Sequence, residues 1–268
     1  MADNAGELSA AEASVLLSLP RYDAAKVLKI GFIGLIAQGL LRLETEDRPG
    51  FIRTRHIPHL RLAEGVPAEL PPISASLVRV VRAAAPDGLM KDIVAQSRRE
   101  FGRTLLGFVR DRVIPSLVGR GLVEQRDKRL LGLIPTHVFL PTAAGESEKI
   151  RLENAMREAK TIPHYLDSEP AKVAALLAAT GSAILLIDEL RPFYDRLSRA
   201  LSPGDGGSIP ADGGFGASFS FGACDFGQVD FSCFDAGAFS SFDAGFSDAG
   251  GGGDGGGGDG GGGGSSSC

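Results

Sequence analysis

Nine cations fall within one short stretch of this chain: Arg98, Arg99, Arg103, Arg110, Arg112, Arg120, Arg126, Lys128 and Arg129. Side chains of this kind, gathered on one surface, attract phosphate-bearing partners. Arg103 and Arg110 are seven residues apart, the spacing that returns to one helical face, whereas Arg112 is rotated well away from them. Arg126, Lys128 and Arg129 cluster in a hairpin loop beside Leu130, Leu131, Leu133 and Ile134. A basic loop with apolar neighbours suits an anionic membrane, where each cation near the surface contributes about 1 kcal/mol. The same arrangement suits a wing laid over DNA phosphates. A solvated surface above a buried hairpin base is the plain alternative. The expected lipid-binding residues are Arg103, Arg110, Arg126, Lys128, Arg129 and Leu131.

No catalytic constellation accompanies these cations. There is no G-x-S-x-G, no P-loop and no dinucleotide fingerprint, so neither an enzyme nor a cofactor is expected. The carboxylates Asp92, Glu100, Asp111 and Glu124 sit among arginines, where ion pairing accounts for them. The histidines are His56, His59, His137 and His164. The run His56-Ile57-Pro58-His59 needs helical geometry to converge on a metal, and Pro58 opposes it, so a surface loop is expected and no metal site.

The elements that must position the basic residues come as a repeated unit. Residues 8–19 read as a helix capped by Ser9 and Glu12 and stopped by Pro20. Asp23 caps a second helix over 24–38, with Gly39 at its end. Alternation in 40–44 and 51–55, around a turn at Asp47 to Gly50, predicts a β-hairpin. The order then recurs, with helices over 74–85, 89–98 and 101–118, Gly121 in the place of Gly39, and strands from Leu122 to Gln125 and from Leu130 to Phe139. The expected fold is therefore mainly α with two β-hairpins. It comprises tandem winged-helix-like units over about 8–62 and 74–141, covered by C-terminal helices within 144–201. Those last helices are expected over 146–160, 169–180 and 184–201.

Residues 202–268 differ in kind. They hold 23 of the 37 glycines, 9 of the 15 phenylalanines and all three cysteines, Cys224, Cys233 and Cys268. Their charged side chains are nine aspartates, so a net charge of -5 for the whole chain leaves residues 1–201 at +4. This segment buries too little apolar surface to offset the entropy of ordering glycine-rich backbone, and a disordered tail is expected, as for residues 1–7. It serves as a tether or as a self-associating segment. The body contains neither cysteine nor tryptophan, which removes thiol chemistry from the fold. The acidic N-terminus lacks the apolar core of a signal peptide. The longest apolar run, 173–187, is too short for a membrane span. A cytoplasmic protein, peripheral to a membrane, is the expected location.

Around the second hairpin the sequence resembles the Golgi phosphoprotein 3 family of peripheral membrane proteins and their bacterial relatives. The residues that carry this are Val109-Arg110-Asp111-Arg112-Val113, Leu117-Val118-Gly119-Arg120-Gly121-Leu122-Val123 and Arg129-Leu130-Leu131-Gly132-Leu133-Ile134-Pro135-Thr136-His137. Residues 34–44 and 172–190 are similar to further segments of that family. The resemblance implies a peripheral membrane adaptor that binds phosphatidylinositol 4-phosphate through basic residues and a tryptophan. It puts Arg110 on one basic position, Gly107 on its companion and Leu28 on a first-unit arginine, while the tryptophan has no counterpart. A weaker resemblance, carried by residues 8–13 and the tail, is to bacterial winged-helix proteins of unassigned function with Gly-rich C-terminal tails. The partners implied are anionic lipid first, then nucleic acid, then a protein.

Overall fold

The structure is a computed structural model, and it describes residues 7–48, 55–84, 87–130, 134–194 and 196–197. The tail (202–268) and Leu131 lie outside the described residues, as do the expected strand positions 51–54 and the end of the expected last helix.

The architecture is mainly helical with two antiparallel two-stranded sheets. Helix α1 spans Ala10–Ser18 and starts with a complete capping box. Ser9 Oγ accepts the Glu12 N–H, and the Glu12 carboxylate accepts the Ser9 N–H at 2.8 Å. Helix α2, Ala24–Ala37, is capped by Asp23, whose carboxylate accepts the N–H groups of Ala25 and Lys26. Apolar residues surround nearly its whole circumference, which is why it runs through the middle of the core. Val27, Leu28, Ile30, Phe32, Ile33 and Ile36 are all buried. Strands β1, Leu41–Arg48, and β2, Arg55–Leu62, then pair with Leu41 opposite Leu62.

The second unit follows the same order. Helices α3, Pro72–Ala83, and α4, Met90–Phe101, lead to a bent third helix made of α5, Leu106–Phe108, a π-turn at Val109–Val113, and α6, Ile114–Gly119. Strands β3, Val123–Leu130, and β4, Ile134–Pro141, close it. The two helix-to-hairpin junctions are built alike. In the first, Leu40 N–H donates to Leu35 O at 2.9 Å and Gly39 N–H to Ile36 O at 2.9 Å. In the second, Leu122 N–H donates to Leu117 O at 3.0 Å and Gly121 N–H to Val118 O at 2.9 Å. Gly39 and Gly121 hold φ of 67° and 69°, the left-handed position that ends a helix in this way.

Helices α7, Ala143–Ala159, α8, Ile162–Tyr165, and α9, Pro170–Thr180, cover the units and share their core. Pro170 stands in the first turn of α9, where its missing N–H costs nothing.

Four expectations need correction. The helix expected over 101–118 begins only at Leu106, because Gly102 and Leu105 take φ of 84° and 60° and break the chain after α4. The second strand of the first hairpin is described over Arg55–Leu62, so His56, Ile57, Pro58 and His59, read as a surface loop, are strand. His59 there is buried, its Nδ1–H donating to the Asp87 carbonyl. This strand is held from outside its hairpin, since Leu60 N–H donates to Gly88 O at 2.7 Å. The helix expected over 184–201 starts instead as two 3-10 turns, Gly181–Leu186 and Asp188–Phe193, separated by Ile187 in an extended conformation, and beyond them Tyr194, Arg196 and Leu197 are α-helical. Finally, Glu7, placed in the disordered N-terminus, lies with its carboxylate against Gly181.

Candidate anion-binding surface

The bent third helix of the second unit carries the site. Pro115 has no N–H to return to the carbonyl four residues back, and its ring crowds that carbonyl. The chain widens just before it, and Ile114 N–H reaches back five residues to Val109 O. Val109 and Val113 are buried, whereas Arg110 and Asp111 are exposed on the wide turn. Among the described residues Arg110 has neither a hydrogen bond nor an ion pair, so its guanidinium faces solvent. Arg112 is half-buried, and its buried Nε has no acceptor among the described residues. Beyond Pro115, which is exposed, Val118 is 42% exposed, one of two large apolar residues so exposed among those described. The exposed residues of this bent helix thus include a cation, a carboxylate and apolar surface: Arg110, Asp111, Pro115 and Val118.

The other expected residues are distributed differently. Arg103 is exposed in the turn before α5, so it does not share a helical face with Arg110. Arg126 is exposed on β3, but its Nε donates to Glu124 Oε1 at 2.7 Å, and its charge is partnered. Lys128 and Arg129 belong to β3 by backbone, opposite Thr136 and Pro135. Leu131 lies outside the described residues. Arg120 is exposed but partnered: its Nε lies 3.5 Å from Glu12 Oε1, and its terminal nitrogens donate to Glu7 O. The carboxylates divide too. Glu100 pairs with Arg79 at 2.9 Å and Glu124 with Arg126, while Asp92 occupies the first turn of α4, where the helix dipole favours it.

Leu28 and Gly107, two positions singled out in the sequence, carry no exposed cation. Leu28 is fully buried in α2. At Gly107 a Cβ would stand 2.6 Å from the Phe101 carbonyl oxygen, so α5 can pass that backbone only as glycine. A basic side chain is therefore sterically excluded beside Arg110.

Sequence reasoning missed the polar cluster that joins the two units behind this surface. Glu12 is 2% exposed and accepts Ser116 Oγ–H at 2.6 Å as well as the Ser9 groups. Its capping role is local and visible in sequence. Its contact with Ser116 spans 104 residues and has no local signal.

Among the described residues no group of three or more His, Cys, Asp or Glu side chains converges to hold a metal ion. No described helix is long and apolar enough to cross a membrane. A comparison with protein-family models gives no match, and no curated protein matches significantly.

Proposed function

We propose that this protein is a non-enzymatic peripheral membrane adaptor, binding anionic lipid through the second winged-helix-like unit. The observation that carries the reading is Arg110, an exposed guanidinium on the wide turn with no partner among the described residues. Val118 and Pro115, exposed on the same bent helix, supply apolar surface of the kind that favours a lipid interface over bulk water. Contact led by charge, and not selective recognition of a phosphoinositide, fits the remaining observations. Gly107 has no room for a cation, Leu28 is buried, and the chain has no tryptophan.

Co-flotation of the full chain with phosphatidylserine-containing and with purely zwitterionic vesicles tests this. Recovery with the anionic vesicles only is expected, and equal failure with both overturns the reading.

One observation favours a second reading. The order α3, α4, bent third helix, β3, β4 is that of a winged helix, with Arg126, Lys128 and Arg129 on the wing strand. Binding to duplex DNA would then fall steeply with added salt, and charge reversal at those three positions would abolish it. The exposed Val118 on the third helix weighs against this, because apolar surface suits a lipid interface better than a phosphate backbone.

A further inference from the structure

We propose that residues 202–268 dock on the basic surface of the second unit and compete there with external anions. The inference deepens the membrane reading and rests on it for its consequence, though the docking itself is observable without lipid.

Charge in this chain is segregated. All 28 lysines and arginines precede residue 202, and the 67 residues from there to the end carry nine aspartates and no cation. Among the described residues Arg110 is exposed with no hydrogen bond or ion pair, and Val118 is exposed eight positions further along the same bent helix. The tail matches both features of that surface. Four of its aspartates adjoin a phenylalanine: Asp225 with Phe226, Asp230 with Phe231, Asp235 with Phe234, and Asp243 with Phe242. An aspartate and its neighbouring aromatic ring offer an ion-pair partner to the guanidinium and an apolar contact to the exposed residues of the same helix. The ring face itself also attracts the cation.

Covalent attachment makes a weak match effective. A tethered segment meets its site at an effective concentration on the order of millimolar. A chain of 67 residues spans at most roughly 3.3 Å per residue, well beyond the width of a body of this size. External anionic surface must displace the tail, so the tail sets a threshold of surface charge below which the adaptor stays unbound.

All the cysteines lie in the tail, so a spin label can be confined to it. The experiment uses the full chain with Cys224→Ser and Cys268→Ser and a nitroxide on Cys233. At low salt, paramagnetic broadening is expected on backbone amides around Arg110 and Val118. It should fade at about 0.3 M salt and be lost when the nine aspartates become asparagines. Absent broadening, or broadening spread evenly over the body and indifferent to salt, overturns the docking. In a second arm, the nine-asparagine chain should partition onto phosphatidylserine vesicles about 3–10-fold more strongly than the native chain at low salt. Equal, measurable partition of both overturns the competition. Localised broadening with no vesicle binding by either chain upholds the docking and refutes the membrane reading.

Discussion

Glu12 does more than cap a helix. Buried at 2% exposure, its carboxylate accepts Ser9 N–H, Ser9 Oγ–H and Ser116 Oγ–H and lies beside Arg120. Removing it leaves two hydroxyls and a helix N-terminus without their acceptor, each loss costing about 1 kcal/mol or more. Glu12→Ala should therefore lower stability by about 2–4 kcal/mol, read as a fall of roughly 5–15 °C in Tm. A shift within about 1 °C would show that the cluster contributes nothing. Glu7 offers the opposite case. Burial raises its carboxyl above the ordinary range, while the Ser182 N–H and Arg151 pull it down. A carboxyl raised on folding favours the protonated form. Stability is thus unaffected below the usual glutamate range, falls as pH rises through the raised value, and stays reduced at neutral pH. Glu7→Gln should gain on the native protein as pH rises from acid to neutral in urea unfolding, and a gap independent of pH would contradict this.

The junction glycines set the prediction for whole elements. A Cβ at Gly39 or at Gly121 would meet nothing within 4 Å, so replacement by alanine strains the backbone alone. Each variant should lose about 1–2 kcal/mol, and the two losses should agree, since the hydrogen bonds around them correspond one for one. Unequal denaturation midpoints, with one variant unaffected, would mean that the two units are not built alike. These junctions were legible in the sequence because glycine at a helix end acts through its own φ. The capping box at Ser9 and the Asp23 cap were legible for the same reason: their partners lie within three residues. Elements held by distant partners were not. The position of β2 depends on Gly88, which accepts from Leu60 across the intervening helix α3. The break after α4 depends on Leu105 tolerating a left-handed conformation that leucine rarely adopts. At the site, helical spacing misplaced Arg103 relative to Arg110, and Gly102 was the legible sign of the break between them. The neutralisation of Arg126 was also within reach, since Glu124 and Arg126 are two apart and share a strand face.

At the scale of the molecule, one core joins both units and the covering helices, and charge is divided between a basic body and an acidic tail. The central claim is that one surface of this body, in the second unit, meets anionic lipid. Its most direct test is vesicle partition of two charge reversals on the full chain. Arg110→Glu alters the proposed surface. Arg21→Glu makes the same change in charge at an exposed position between α1 and α2 of the first unit. With each cation near an anionic bilayer contributing about 1 kcal/mol, reversal at the contact removes roughly 2 kcal/mol, a loss of about 30-fold in partition. The account predicts that loss for Arg110→Glu and a change of less than about 3-fold for Arg21→Glu. Equal losses would reduce the interaction to net charge, and an unchanged Arg110→Glu would contradict the account.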